Sequence, residues 1–314
     1  MLKITVFLYF YFSEVISNIF TNLTAVGFES LTMEVFHYQA VNNLVYKKYL
    51  SLLKITPDEV VNSQDIPFLP IQFFKSHEVV SSNEKIEQTF LSSGTTGMQQ
   101  SKHHVTDLLL YEKSYLKGFS HFYGDIEDYV VLALLPSYLE REGSSLIYMV
   151  EDLIKKSKNS DSGFYLHNLD ELAKRLLKLE DEGKKVLLIG VSFALLDLIE
   201  KYRFKLKNTI VMETGGMKGK RKEMIREELH VVLKEGFGVS EIHSEYGMTE
   251  LLSQGYSNGH GIFETPPWMK ILIRDTEDPL SLLPVGKTGG INVVDLANVN
   301  SCSFIATQDL GKIH

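Results

Sequence analysis

Three strand-like runs that alternate with helical segments constrain the fold of this chain more than any other feature. The first, Tyr129–Leu135, is continuously apolar, which predicts a strand covered on both faces rather than one half-exposed to water. Lys185–Ile189 and Thr209–Glu213 are the other two, and the leucine pattern of Asn168–Glu182 predicts a helix between the first two runs. Because strand and helix alternate, the sequence predicts an α/β fold built on a mostly parallel sheet with right-handed crossovers.

Helix-capping signals indicate further elements. Thr56-Pro57-Asp58-Glu59 is a capping box with proline at the first helical position, so a short helix is expected there. Thr106 and Asp107 are expected to cap a second helix directly behind a glycine-rich loop, and Ser192 to cap a third. A further helix is predicted over Lys220–Lys234. The residues expected on one side of the second helix are Leu109, Leu110, Tyr115, Leu116 and Phe119.

The texture of the sequence changes after about residue 265. Pro266-Pro267, the glycine-rich stretch Pro284–Gly290 and the alternating Ile291 and Val293 predict turns and short antiparallel strands. We therefore expect an α/β core over residues 1–265, whose N-terminal helical part covers roughly residues 1–90. A small β-subdomain is expected over residues 266–314.

Charge and cysteine content narrow the class of protein. A net charge of −8 excludes the basic balance of a typical nucleic-acid-binding protein, so no nucleic-acid partner is expected. The single cysteine, Cys302, excludes internal disulfides and favours a reducing, cytoplasmic location. The apolar run Ile4–Phe12 is too short to span a bilayer, so no membrane association is expected. It is interpreted as a buried strand or an amphipathic segment, with a signal-peptide core as the alternative.

The loop Ser92–Ser101 has the composition of a phosphate-binding loop. Its glycines allow backbone N–H groups to turn toward an anion, and its serines and threonines add hydroxyl donors. An ordinary polar turn is the alternative interpretation, since small polar residues also dominate structural turns.

Two common phosphate-binding signatures do not fit this chain. A Walker loop requires Gly-Lys-Ser/Thr five positions after the first glycine, but Gln99 follows Gly94 at that spacing. Gly286-Lys287-Thr288 lacks the first glycine, since Ser281 stands there. No Gly-x-Gly-x-x-Gly follows a predicted strand, so a dinucleotide-binding Rossmann site is not predicted either.

A second motif, Glu245-Tyr-Gly-Met-Thr-Glu-Leu-Leu-Ser-Gln-Gly-Tyr256, follows the loop in the chain. The two motifs together resemble the adenylate-forming superfamily, whose members make an acyl-adenylate from a carboxylic acid and ATP. More narrowly, the chain resembles the acyl-protein synthetase (LuxE) family, which is related to phenylacetate–CoA ligases. The passages that carry this narrower resemblance are Ile66–Lys75, Ser101-x-His103-His104 and Ser253-Gln254.

The resemblance implies a fold and a set of site residues. It implies the large domain of an adenylate-forming enzyme, with a chain that ends before most of the C-terminal lid domain. ATP phosphates are expected to bind to the loop residues Ser92, Ser93, Gly94, Thr95, Thr96 and Gly97. The other nucleotide-binding residues implied are Gly215, Gly216, Met217, Tyr246, Gly247, Met248 and Asp309. Tyr246 would stack on adenine and Asp309 would hold the ribose hydroxyls.

The catalytic residues implied are Thr249, Glu250 and His103. Thr249 would donate to the α-phosphate, and Glu250 would ligate Mg²⁺, a hard cation that prefers carboxylate oxygens. Relatives carry a lysine shortly after the loop, where this chain has Gln99 and Gln100. Lys102 or His103 is the candidate substitute for that positive charge.

The function implied is ATP- and Mg²⁺-dependent activation of a fatty or aromatic carboxylic acid to acyl-AMP, followed by acyl transfer to a thiol. The implied thiol belongs to coenzyme A, to an acyl carrier or to an acyl reductase partner. The acid pocket is expected near Leu134–Tyr138 and after Gly143. A catalytically impaired nucleotide-binding scaffold of an acyl reductase complex and an aryl- or acyl-CoA ligase are the alternatives. Cys302 is expected to be structural rather than the thioester-forming residue.

Overall fold

The structure is a computed structural model that describes residue 16 and residues 18–21, 23–81, 84–93, 99–136, 143–166, 168–215 and 224–314. The predictions for Ile4–Phe12, for Gly94–Gly97, and for Gly216 and Met217 lie outside these residues. The same holds for Ser137 and Tyr138 of the expected acid pocket.

Helices and strands alternate through the central part of the chain. The α-helices of the described residues are α1 (Ala25–Asn42), α2 (Leu44–Leu52), α3 (Phe73–Ser76), α4 (Leu108–Tyr123), α5 (Ser145–Lys156), α6 (Leu169–Asp181), α7 (Ser192–Lys201) and α8 (Arg226–Phe237). The strands are β1 (Leu69–Pro70), β2 (Gln88–Leu91), β3 (Lys102–Val105), β4 (Val130–Leu134), β5 (Gly163–Tyr165), β6 (Val186–Gly190), β7 (Thr209–Glu213), β8 (His243–Tyr246), β9 (Gly255–Ser257), β10 (Met269–Arg274), β11 (Thr288–Asp295) and β12 (Phe304–Lys312).

The chain divides into two compact units. We name the described residues of Met1–Tyr115, Met248–Ser253 and Thr265–His314 the first unit, and those of Leu116–Gly247 and Gln254–Glu264 the second unit. The expected domain boundary after residue 265 stays a prediction. Among the described residues, no helix combines the length and apolar character that crossing a bilayer requires.

The second unit is built on a six-stranded sheet of order β5-β4-β6-β7-β8-β9. Neighbouring strands are parallel except for β8 and β9, which are antiparallel. Strands β4 and β6 are buried along their whole length, as their unbroken apolar sequences predict. The α/β fold with a mostly parallel sheet is therefore confirmed.

The first unit contains a second, mainly antiparallel sheet. Its order is β1-β12-β11-β10, in which only the β1–β12 pair is parallel. The antiparallel strands predicted after residue 265 are therefore present. Phe36, Tyr46 and Phe304 are fully buried and pack edge-to-face or stacked, which joins helices α1 and α2 to strand β12.

Strands β2 and β3 form a separate antiparallel hairpin in the first unit. The glycine-rich loop is the connection of this hairpin. It does not lead directly into a helix, as the sequence analysis expected, because β3 stands between the loop and α4. Asp107 does cap α4, since its side chain accepts from the N–H of Leu110 at 3.0 Å.

Three local expectations are wrong in detail. Leu109 is 74% exposed, because the buried face of α4 runs instead through Leu110, Tyr111 and Ser114. Ser192 does not cap α7, because its hydroxyl donates to the carbonyl of Gly215 at 3.1 Å. Helix α8 begins at Arg226 rather than Lys220. By contrast, the short helix expected after Thr56 is present, because the capping box initiates the 3₁₀ helix Pro57–Glu59.

Candidate active site

The ends of the glycine-rich loop are fastened to each other in the first unit. The N–H of Ser92 donates to the carbonyl of Ser101 at 3.1 Å, and the N–H of Ser101 donates to Oγ of Ser92 at 2.9 Å. Gln100 Nε2 also donates to the carbonyl of Ser92 at 2.8 Å. Ser93 is exposed. The hairpin strands therefore hold both ends of the loop at a fixed separation, whatever lies between them.

Glu250 is a buried carboxyl group in the first unit. It lies in the second motif, and its side chain is only 6% exposed. Burial raises its pKa, and the negative charge of Asp309 raises it further. The Ser101 hydroxyl, the N–H of Glu250 itself and the positive charge of Lys75 act in the opposite direction and only partly offset these effects. Glu250 is therefore a carboxylate whose charge is incompletely compensated.

Lys75 enters the site from helix α3. It is half-buried, and its charge acts on Glu250. Gln99, at the far end of the loop, donates through Nε2 to the carbonyl of Lys75 at 2.6 Å. Lys102, one of the two cations that the sequence analysis considered, is exposed on β3. Lys75 lies in the Ile66–Lys75 passage, but nothing in the sequence assigned it to the phosphate site.

His103, the other candidate cation, is fully buried. Its Nδ1 lies 2.8 Å from the carbonyl oxygen of Thr249, and its Nε2 lies 3.0 Å from Oδ1 of Asn298. Burial lowers the pKa of His103 to about 4, because its effect exceeds that of the hydrogen bonds to the oxygens of Thr249 and Asn298, which raise the pKa. The ring is therefore neutral at neutral pH. This geometry is that of a group that holds the backbone of Thr249 in place.

Asn298 is a site residue that sequence reasoning missed. Its amide nitrogen donates to the carbonyl oxygens of Glu250 at 2.7 Å and Cys302 at 2.9 Å, while its oxygen faces His103. Asp295 performs a similar role one turn away. Its carboxylate accepts from the N–H groups of Leu252 and Ser253, both at 2.9 Å. The backbone from Glu250 to Ser253 is thus fixed by the side chains of Asp295, at the end of β11, and Asn298, in the β11–β12 connection.

A buried carboxylate organises the second unit at the end of β7. Glu213 accepts from the N–H of Gly215 at 2.8 Å, and Arg226 Nε lies 3.3 Å from its other oxygen. Burial by itself raises the pKa of Glu213. Hydrogen bonds from His230, Ser244 and Gly215, with the Arg226 charge, outweigh burial and bring the pKa to about 2. Gly215, which has a φ of 85°, is therefore held in its left-handed conformation by an ionised side chain.

Tyr246 and Gly247 also belong to the second unit. The ring of Tyr246 packs edge-to-face on Phe263 at 6.0 Å between centroids, and Arg226 lies 4.9 Å from the Phe263 ring. Met248 and Thr249, the next residues of the motif, are half-buried in the first unit. The motif thus supplies residues to both units through one continuous segment.

The residues present fit a magnesium ion that arrives with a nucleotide. Among the described residues, no group of three or more His, Cys, Asp or Glu side chains forms a metal site on its own. Glu250 and Asp309 interact electrostatically and offer carboxylate oxygens. Mg²⁺ usually binds through one or two carboxylates together with substrate phosphates and water. Glu250, with Asp309 nearby, is the donor set that would hold it here.

Comparison with known proteins identifies the class of fold. MatB from Rhodopseudomonas palustris, solved with ATP, matches with a TM-score of 0.55 and 18% identity, covering 74% of this chain and 46% of that chain. A 2-hydroxyisobutyryl-CoA ligase, solved with 2-HIB-AMP and CoA, matches with a TM-score of 0.64 and 12% identity over 93% of this chain and 65% of that chain.

A long-chain-fatty-acid-CoA ligase (FadD1) from Archaeoglobus fulgidus matches with a TM-score of 0.52 and 15% identity, covering 74% of this chain and 50% of that chain. The fold is therefore that of adenylate-forming acyl-CoA ligases. This chain spans about half of the length of MatB.

The resemblance to the acyl-protein synthetase family is also confirmed over part of the chain. The sequence profile of the family described as "Acyl-protein synthetase, LuxE" matches residues 28–109, which include the Ile66–Lys75 passage and the glycine-rich loop. No curated protein matches this chain in sequence.

Proposed function

We propose that this protein activates a carboxylic acid with ATP, forming acyl-AMP and pyrophosphate, and then transfers the acyl group to a thiol. The observation that carries this proposal is the buried Glu250, whose charge is incompletely compensated, on the fold of adenylate-forming ligases. A cation bound with ATP would supply the missing compensation. The acid is proposed to be fatty or aromatic.

The phosphates of ATP are proposed to bind between the glycine-rich loop and Lys75. The reaction brings the carboxylate of the substrate to a phosphate that is itself negative, so the site must neutralise charge. Lys75 interacts with Glu250, and its carbonyl is tied to Gln99 of the loop. We therefore assign to Lys75 the positive charge that relatives place after the loop. Mg²⁺, when bound by Glu250, would neutralise further phosphate charge.

The adenosine part of ATP is proposed to bind to residues that the resemblance implies. Tyr246 would stack on adenine, and Gly215 with its neighbours Gly216 and Met217 would lie against the base and ribose. Gly247 and Met248 would also contact the nucleotide, and Asp309 would hold the ribose hydroxyls. The fixed conformation of Gly215 supports this proposal, because a backbone held by Glu213 is preorganised for binding.

Thr249 is proposed to donate its hydroxyl to the α-phosphate. Its backbone carbonyl is held by His103, and the carbonyl of Glu250 is held by Asn298. These contacts fix the main chain that carries both side chains. We therefore assign His103 a positioning role rather than that of a cation, which its lowered pKa does not support.

The thiol that receives the acyl group is proposed to come from another molecule. Cys302 is fully buried, and burial raises its pKa to about 12, so it carries almost no thiolate at neutral pH. Coenzyme A, an acyl carrier and an acyl reductase partner remain the candidates. One structural neighbour was solved with CoA and an acyl-adenylate, which supports a thiol acceptor of this kind.

Exchange of labelled pyrophosphate into ATP tests this proposal, because it measures acid activation without requiring the final acceptor. We expect exchange that depends on both Mg²⁺ and one member of a panel of fatty and aromatic acids. ATP binding without exchange by any acid would favour the scaffold alternative. Absence of ATP binding at millimolar concentration, measured by a shift in melting temperature, would contradict both functions.

A further inference from the structure

Gln254 carries a buried oxygen that lacks a hydrogen-bond partner among the described residues. The side chain is only 6% exposed, and its Oε1 is buried without a donor. Leaving a buried acceptor unpaired costs about 1–3 kcal/mol, and buried polar groups in folded proteins almost always have partners. An orphaned acceptor of this kind indicates that a donor is supplied by something other than the residues that the structure describes.

The position of Gln254 is that of a ligand-binding edge. The β8–β9 ladder ends with the pair Tyr246 and Gly255, so Gly247 and Gln254 are the first residues beyond it on each strand. A Cβ atom on Gly247 would lie 3.4 Å from Cγ of Gln254. This is the carboxyl end of the parallel strands, where ligands bind in open α/β sheets.

Thr214 supplies a second, independent orphan at the same edge. Its hydroxyl is buried and has no partner in the described part of the chain, and the residue is 8% exposed. Thr214 follows Glu213, which pairs with Ser244 of β8, so it lies beside Glu245. Of the three such atoms in the part of the chain that the structure describes, two belong to this edge, and the third is Oγ1 of Thr209 at the opposite end of β7.

The polar groups around Gly247 are an amide and a carboxyl group that is mainly protonated at neutral pH. A Cβ on Gly247 would clash with Oε1 of Glu245, so Glu245 and Gln254 both contact this glycine. Burial, with the nearby charge of Glu213, raises the pKa of Glu245 to about 8. A neutral amide and a neutral carboxyl suit a hydroxyl or an amide N–H better than a charged group. A purely alkyl or aryl group would leave Gln254 unpaired.

We propose that Oε1 of Gln254 accepts a hydrogen bond from a neutral donor on the acid substrate, so that this protein activates an acid bearing a hydroxyl or amide N–H. The acid of the same carbon skeleton without that donor is the poorer substrate. This inference rests on the proposed function and names the substrate class of the same site. Sites built to pair with a substrate donor reject the analogue that lacks it, because their own polar groups stay unpaired.

The test compares acids in matched pairs, such as 3-hydroxydecanoate with decanoate and 4-hydroxyphenylacetate with phenylacetate. Pyrophosphate exchange is measured for the parent, for Gln254→Met and for Gln64→Met, an exposed control. We expect kcat/KM of the parent to be about tenfold or more higher for the hydroxylated member of at least one pair. Gln254→Met should bring that ratio within about twofold of unity, while Gln64→Met keeps it.

If Gln254 only packs in the core, Gln254→Met should lower the melting temperature and leave the substrate ratio unchanged. The proposal predicts the opposite, because methionine has a similar length and no orphaned acceptor, so the melting temperature of Gln254→Met should equal or exceed that of the parent. A lower melting temperature with an unchanged substrate ratio would overturn the proposal. A parent that prefers the unsubstituted acid in every pair would also overturn it.

The amino group of adenine is the other donor to consider, because the proposed adenosine site at Gly215 and Tyr246 adjoins this edge. Repeating the exchange with purine riboside triphosphate, which lacks that group, separates the two sources. The effect of Gln254→Met should persist with this nucleotide, and its disappearance would overturn the assignment to the acid. If no acid supports exchange, the proposed function fails, and ligand-observed NMR of the same pairs decides the present proposal. Preferential binding of hydroxylated acids that Gln254→Met abolishes supports it, and equal or absent binding overturns it.

Discussion

The side-chain amide of Asn298 donates to the carbonyl oxygen of Glu250 at 2.7 Å. Asn298 is fully buried, and its side chain also forms hydrogen bonds with His103 and with the carbonyl of Cys302. It therefore links the β11–β12 connection, the β2–β3 hairpin and the motif that contains Thr249 and Glu250. A side chain with this many buried partners supports both stability and the geometry of the motif.

We predict that Asn298→Ala lowers the free energy of unfolding by about 2–4 kcal/mol, because two buried carbonyl groups lose their donor. Urea denaturation measures the change, and pyrophosphate exchange should fall with it. Asn42→Ala is the matched control, since Asn42 is exposed and donates only to the carbonyl of Tyr38. An Asn298→Ala protein as stable as the control would show that the contacts contribute little.

Asn298→Asp gives a second measurement if the alanine variant does not fold. It places a negative charge beside Nε2 of His103, which must raise the pKa of that histidine above its present value of about 4. A histidine NMR titration reads this directly. An unchanged His103 titration would mean that the two side chains are not in contact in solution.

The fold could be predicted largely because its signals are local. Strands such as β4 and β6 are unbroken apolar runs, and β7 was predicted with the bounds that the structure has. Strand β3 was missed because its sequence, Lys-His-His-Val, carries charge and no alternation of apolar residues. Its burial comes from tertiary contacts of His103 that local sequence does not reveal.

The candidate site could be predicted only where a motif carried it. Glu250 belongs to a recognisable motif, but Asn298 is an isolated asparagine whose partners lie at distant positions in the chain. Ser192 shows the opposite error. A serine before a helix is typical of a cap, yet here its hydroxyl donates to Gly215. Competition between local and tertiary hydrogen bonds decides which partner such a side chain takes, and local sequence does not contain that information.

We expect Lys75, and not Lys102, to be the cation of the phosphate site. We expect Lys75→Met to reduce kcat/KM for ATP in pyrophosphate exchange on the order of a hundredfold, because it removes a charge that faces developing negative charge. Lys102→Met should change it little, since Lys102 is exposed. The two variants lose the same charge, so each serves as the control for the other. The reverse order of effects would assign the cation to Lys102.

Glu245 should make stability depend on pH. Its pKa is raised from 4.5 to about 8 in the folded protein, so folding favours the protonated form. The stabilisation is fully present below the unfolded pKa and is lost as pH rises through about 8. The slope reaches at most about 1.4 kcal/mol per pH unit. Glu245→Gln should reduce the fall in the free energy of unfolding between pH 5 and pH 8, as measured by urea denaturation, because it removes the contribution of this group.

The control for that prediction is Glu228→Gln, which neutralises an exposed glutamate on helix α8. It should keep the slope of the parent. A slope that survives in Glu245→Gln would assign the pH dependence to another group.

Glu250→Gln should abolish pyrophosphate exchange while leaving the fold intact. The change removes one negative charge with almost no change in shape, and an amide oxygen is a much weaker ligand than a carboxylate for a hard dication. Because burial raises the pKa of Glu250, its charge is a cost in the ligand-free protein, so the variant should be at least as stable as the parent.

Thr249→Val removes the proposed phosphate donor at constant size and should lower the exchange rate about tenfold to a thousandfold. Melting curves within a few degrees of the parent establish that both variants are folded. Exchange by Glu250→Gln at nearly the parental rate would contradict the magnesium role of Glu250 and favour the scaffold alternative.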